Sequence, residues 1–160
     1  MNVHEGAVRV LLEHNANSEG KNGSGDTALQ FAARHGYEGL MLLFLEHNAN
    51  VGAKDRFGVT LLYHAATRGY ETAVRVPLEH GAHVDEKVRS EWTALHVAAR
   101  YNFESVVQTL IKKGANINIK VVNGYTALHV AYLHGHEGMA KLLIDEEADV
   151  DEVGNEGRTP

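Results

Sequence analysis

The chain has 160 residues, a net charge of −6, 44% hydrophobic and 22% charged residues, the profile of a folded protein rather than a disordered one. Having no cysteine, it can hold no disulfide, no thiolate metal site and no cysteine nucleophile. No apolar run approaches the roughly 20 residues that span a bilayer, and Met1-Asn2-Val3-His4-Glu5 lacks the regions of a secretory signal, so no membrane insertion and a cytoplasmic or nuclear location are expected.

Residues 4–17 (HEGAVRVLLEHNAN) read as a helix closing in a turn, and the pattern then recurs. Thr27, Thr60, Thr93, Thr126 and Thr159 follow one another at intervals of 33 residues without a slip. They open the segments TALQFAARHGYEG, TLLYHAATRGYET, TALHVAARYNFES and TALHVAYLHGHEG, each with a leucine two positions on (Leu29, Leu62, Leu95, Leu128). An acid follows eleven residues after each threonine: Glu38, Glu71, Glu104 and Glu137. Each threonine precedes an Ala-rich apolar stretch, where its hydroxyl can cap the free N–H groups of a first helix. The pairs Ala32/Ala33, Ala65/Ala66 and Ala98/Ala99 allow close packing, and Gly36, Gly69 and Gly135 end the helix in a left-handed conformation. A second apolar run follows, as in residues 40–45 or 106–111, and closes at HNAN, HGAH, KGAN or EEAD. One such helix pair cannot bury its own apolar face, so units must stack.

This pattern resembles the ankyrin repeat, whose period and T-P-L-H-x-A opening it shares. Thr93-Ala94-Leu95-His96-Val97-Ala98-Ala99 and Thr126-Ala127-Leu128-His129-Val130-Ala131 match it closely, with alanine where the family prefers proline. The resemblance implies an all-α repeat solenoid, a right-handed stack of helix-turn-helix units joined by β-turn or hairpin loops. It spans nearly the whole chain, read as a single domain over 1–160. Residues 1–26 form a partial unit and turn, full units run over 27–59, 60–92, 93–125 and 126–158, and 159–160 start another. An array cut in mid-unit at both ends reads as a fragment or as a chain with improvised caps.

Departures from the pattern mark natural drift rather than an idealised consensus. Pro77 stands where the other units have Phe44, Leu110 and Leu143, and the expectation is a kink or an early end to that helix, since proline costs about 3 kcal/mol in a helix interior. Asn15, Asn48 and Glu147 occupy the glycine slot held by Gly81 and Gly114, and Glu91 replaces the turn glycine of Gly25, Gly58, Gly124 and Gly157.

Eleven histidines raise the question of metal. His14, His47 and His80 share one repeat position, and His96 and His129 share another, to which the family gives a structural bond to the adjoining turn. Equivalent positions in stacked units lie about a helix diameter apart, roughly 10 Å, against about 2 Å from ligand to zinc. No metal or cofactor is expected. Catalysis is not expected either, because no GxxxxGK[ST], GxGxxG or nucleophile context is present.

What remains is a surface. Family members commonly bind proteins along a concave face lined by turn tips and the exposed ends of first helices. Carried over position by position, those sites hold Arg56, Phe57, Arg68, Arg89, Trp92, Arg100, Tyr101 and Tyr125 in the middle units, with no acid among them. The expected function is non-catalytic binding of a protein or peptide, acidic in character, by a monomer, because Trp, Tyr and Arg dominate binding hot spots. End-to-end self-association as a structural segment of a longer array is the alternative. Nucleic acid is not expected, since residues 145–156 hold seven acids and no Lys or Arg, and the rest of the chain is close to neutral.

Overall fold

The computed structural model describes residues 3–88 and 91–160, with side chains from residue 5 onward. Among these residues lie α1 (Val3–Glu13), α2 (Ala28–His35), α3 (Glu38–Glu46), α4 (Leu61–Ala66), α5 (Glu71–Glu79), α6 (Ala94–Arg100), α7 (Glu104–Lys112), α8 (Ala127–Leu133) and α9 (Glu137–Asp145). Among the described residues there is no β-strand, only one isolated bridge between Lys54 and Thr60. None of the described helices is long and apolar enough to cross a membrane.

The helices gather into two compact units, Met1–His83 with α1–α5 and Val84–Pro160 with α6–α9. In the first unit α2 packs on α4, each also packs on its own second helix (α3 and α5), and α3 lies between α1 and α5. In the second, α6 packs on α8, with α7 and α9 against their respective partners. The alanine pairs make this possible: Ala32, Ala33, Ala65, Ala66, Ala98 and Ala99 are at most 1% exposed. A side chain larger than a methyl group there would hold neighbouring first helices apart. Leu29, Met41 and Leu61 fill the first core, and Leu95, Leu110, Met139 and Leu143 the second.

The four second helices start at the four repeating acids, Glu38, Glu71, Glu104 and Glu137. Their preceding residues, Tyr37, Tyr70, Phe103 and His136, make no side-chain cap. The carboxylate in the first turn therefore supplies the favourable interaction with the positive end of the helix. Left-handed residues punctuate the units as anticipated, including Asn15, Asn48, Glu91 and Glu147 beside the glycines. The first helix ends before Gly36, Gly69 and Gly135 in three units, and Asn102, with φ 61°, takes that slot in the third full unit. Asparagine fits there because its short polar side chain tolerates the left-handed region.

The early helix end expected at Pro77 does not occur. Far from ending early, α5 runs through it to Glu79 and keeps the nine residues of α3, α7 and α9. Pro77 lies in the last turn, where only one helical bond, to the Ala73 carbonyl, is lost. Its own carbonyl still accepts from His80 and from Ala82, at 3.1 and 3.0 Å, so the closing turn forms as in the sister helices. The ring is buried like its counterparts Phe44, Leu110 and Leu143. Pro77→Leu, which restores both the bond and the larger side chain, is expected to raise unfolding free energy in urea by about 1–3 kcal/mol. An unchanged or lower value would mean that the site is tailored to proline.

Candidate partner-binding surface

In three of the four full units a two-ended side chain stands at the fourth position of the T-x-x-x opening, the second full unit having Tyr63 there. In the first full unit it is Gln30, whose Oε1 accepts the Thr27 N–H at 2.9 Å while its own N–H is capped by the Thr27 hydroxyl. Its Nε2 donates to the Ala53 carbonyl of the following turn at 2.9 Å. His96 and His129 do the same with imidazole. Nδ1 of His96 faces the Thr93 N–H at 3.4 Å and its hydroxyl at 2.8 Å, and Nε2 faces the Ile119 carbonyl at 3.0 Å. His129 meets Thr126 through Nδ1 and the Arg158 carbonyl through Nε2. A backbone N–H must donate to Nδ1 and a carbonyl must accept from Nε2, so each neutral ring carries its proton on Nε2. Burial pushes the His96 pKa down to about 4.

The tie thus reaches the turns that follow three of the four first helices. Two further positions recur beside the turns, the residue before the threonine and the residue seven after it, and they meet in the first and third full units. Asp26 meets Arg34 in an ion pair of 2.9 Å. One unit on, the same positions hold Val59 and Thr67, without charge. In the next, the Arg100 guanidinium lies over the Trp92 ring, 5.6 Å from its centroid, and 5.9 Å from that of Tyr101. The last pair is Tyr125 and Leu133, with Tyr125 stacked at 5.2 Å on His129 of its own helix.

The expected binding residues thus fall into two groups. In the first compact unit, Arg56 lies 4.6 Å from the centroid of Phe57, which is 51% exposed, and its Nη1 donates to the Gly23 carbonyl. Arg68 is exposed in the turn after α4. In the second, Trp92, Arg100 and Tyr101 form one contiguous cluster, with Tyr101 51% exposed. Tyr125 is half-buried on its histidine. Arg89 lies outside the described residues.

One cluster escaped the sequence reading, which did not single out His64. Asp26, Asp55 and His64 bring a ligand atom each within 4.8 Å of one another. Both carboxylates are 2% exposed, and Arg34 Nη2 lies 2.9 Å from Asp26, 3.9 Å from Asp55 and 3.0 Å from His64 Nε2. The guanidinium is thus the cation these acids hold. Burial would raise Asp55, but the Val59 N–H, His64 and the Phe57 N–H together hold it below the usual carboxylate range. Burial lowers His64 too, and the adjacent Arg34 adds to that against the pull of Asp55.

Six further histidines bond to helix carbonyls. His14, His35, His47, His80 and His134 each place Nδ1 2.8–2.9 Å from the carbonyl four residues back, satisfying a helix C-terminus. His136 Nε2 donates to the Arg100 carbonyl at 2.9 Å.

These features define stacked helix pairs with side chains presented from turns and helix ends. A family model described as ankyrin repeats in three copies matches residues 1–55 and 41–121, and one for ankyrin repeats in many copies matches 102–144. The chain belongs to the ankyrin repeat family. No curated protein matches it. Ankyrin repeats generally serve as protein–protein interaction modules and are generally not enzymes.

Because the folded pKa of His96 lies below its ordinary 6.5, the unfolded chain binds the extra proton first. The stability this buried neutral ring provides is complete above pH 6.5 and is lost as pH falls toward 4, by up to about 3 kcal/mol. Gln30 makes the same bonds without titrating. His96→Gln should therefore match wild type at pH 7 in urea unfolding and lose less stability at about pH 4.5. An unaltered pH dependence would remove His96 as its source.

Proposed function

We propose that the chain binds a segment of a partner protein, acidic in character, through side chains of its turn tips and first-helix ends. The observation that carries this is the placing of arginine on surface aromatic rings: Arg56 on Phe57 at a turn tip, and Arg100 on Trp92 and Tyr101 at a first-helix end. Such side chains contribute little to a core. They offer large, rigid contact area and directed donors, the composition of interface hot spots. Arg68 and Tyr125 extend the two patches, and Arg89 joins them as a sequence-based member. Binding, not catalysis, is the activity, and the acidic run over 145–156 disfavours nucleic acid as the ligand.

A second reading, end-to-end self-association, draws on apolar side chains left open on two helices: Val10 and Leu11 of α1 at 54% and 58% exposure, and Tyr132 and Leu133 of α8 at 68% and 59%. A sedimentation coefficient independent of concentration would remove it. For the main reading, partners captured by the wild-type chain should be lost or bound at least 10-fold more weakly by the combined Trp92→Ala, Arg100→Ala, Tyr101→Ala variant. Equal capture by a folded variant would place binding elsewhere.

A further inference from the structure

We infer that Arg100, held on the rings of Trp92 and Tyr101, is the receptor for a single oxyanion of the bound segment, a carboxylate or a phosphate. The inference rests on the binding function proposed above and names the group recognised. Its basis is a comparison of four equivalent sites within one chain. At the first, Asp26 neutralises Arg34 at 2.9 Å, and Asp55 adds a second acid at 3.9 Å. At the second there is no cation, and at the fourth the pair is Tyr125 and Leu133. Only at the third does an arginine stand opposite an aromatic ring rather than an acid. Among the described residues, its guanidinium has no ion pair and no hydrogen bond, only the two ring contacts.

Those contacts matter chemically. The ring contacts take up none of the guanidinium N–H groups in hydrogen bonds, so on this exposed side chain two parallel donors are left to match a carboxylate or phosphate. Holding the long side chain on two rings also removes rotamer freedom before the ligand arrives, so less is lost on binding. The neighbouring site adds a register. Leu133, 59% exposed, is the equivalent of Arg100 on the helix packed beside it. Packed helices lie about 8–10 Å apart, a span that an extended peptide covers in about three residues. A ligand would then carry its acid about three positions from an apolar side chain.

The test is selection of a random twelve-residue phage-displayed peptide library on the full chain, followed by affinity measurement with labelled synthetic peptides. Trp92, the sole tryptophan, gives a second readout through its emission. Selected peptides should share an acid about three residues from an aliphatic or aromatic one. Replacing that acid by glutamine should weaken binding to wild type at least 10-fold but binding to Arg100→Gln less than twofold. Arg100→Lys, which keeps charge but not the flat fork, should be intermediate. Lys112→Gln, on the exposed face of α7, is the charge-matched control and should behave as wild type. Peptides with glutamate or phosphoserine at the acid position then distinguish the two oxyanion sources. Peptides sharing no acid, or losing the same affinity with both proteins, would overturn the role of Arg100 while leaving the interaction function standing. A library yielding no binder to any folded variant would overturn the interaction function itself.

Discussion

Three of the turns each depend on one buried side chain with two ends. Gln30, His96 and His129 each tie the cap of their own helix to the turn that follows. These groups are at most 3% exposed, so a polar atom left unmatched there would cost on the order of 1–3 kcal/mol. The bond must therefore be made at both ends, and making it holds a turn that has no sheet to support it. The tips add only their own closing bonds, such as Val121 N–H to the Tyr125 carbonyl and Gly124 N–H to that of Val121. A turn held in this way can carry a large side chain without relying on that side chain for order.

The positions before and seven after each threonine are where this rigidity becomes chemistry. One backbone arrangement hosts an ion pair at Asp26 and Arg34, an uncharged pair at Val59 and Thr67, a cation on a ring at Arg100 and Trp92, and an aromatic–aliphatic pair at Tyr125 and Leu133. The repeat thus separates scaffold from display. Substitution at these positions changes the chemistry beside the turns while the buried alanines beneath stay the same. The same separation accounts for most of the described histidines, which divide into turn ties and helix ends, with His64 in the Asp26–Asp55–Arg34 cluster.

Much of this was legible in the sequence because it is local or periodic. The 33-residue spacing, the threonine caps, the first-turn acids and the left-handed asparagines follow from backbone chemistry within one unit. Asn102 was overlooked because asparagine stands where the sister units hold glycine, although its place in the repeat would have revealed it. The meeting of Asp26, Arg34, Asp55 and His64 was hidden for a different reason. It joins two units, and its members are 8 to 38 positions apart, so that only the stacking brings them within hydrogen-bonding distance. Pro77 shows the limit of a propensity argument: a rule for helix interiors applies weakly in a last turn whose carbonyls find other donors.

The most direct measurement of the account is amide hydrogen exchange on a His96→Leu variant, in which neither end of the tie can form. The amides of Val121 and Gly124, which close the turn held by Nε2 of His96, should exchange at least about 10-fold faster than in wild type, while the amides of α2–α5 keep their protection. Unchanged exchange at Val121 and Gly124 would contradict the central claim, for the turn would then be ordered by something other than the buried side chain beneath it.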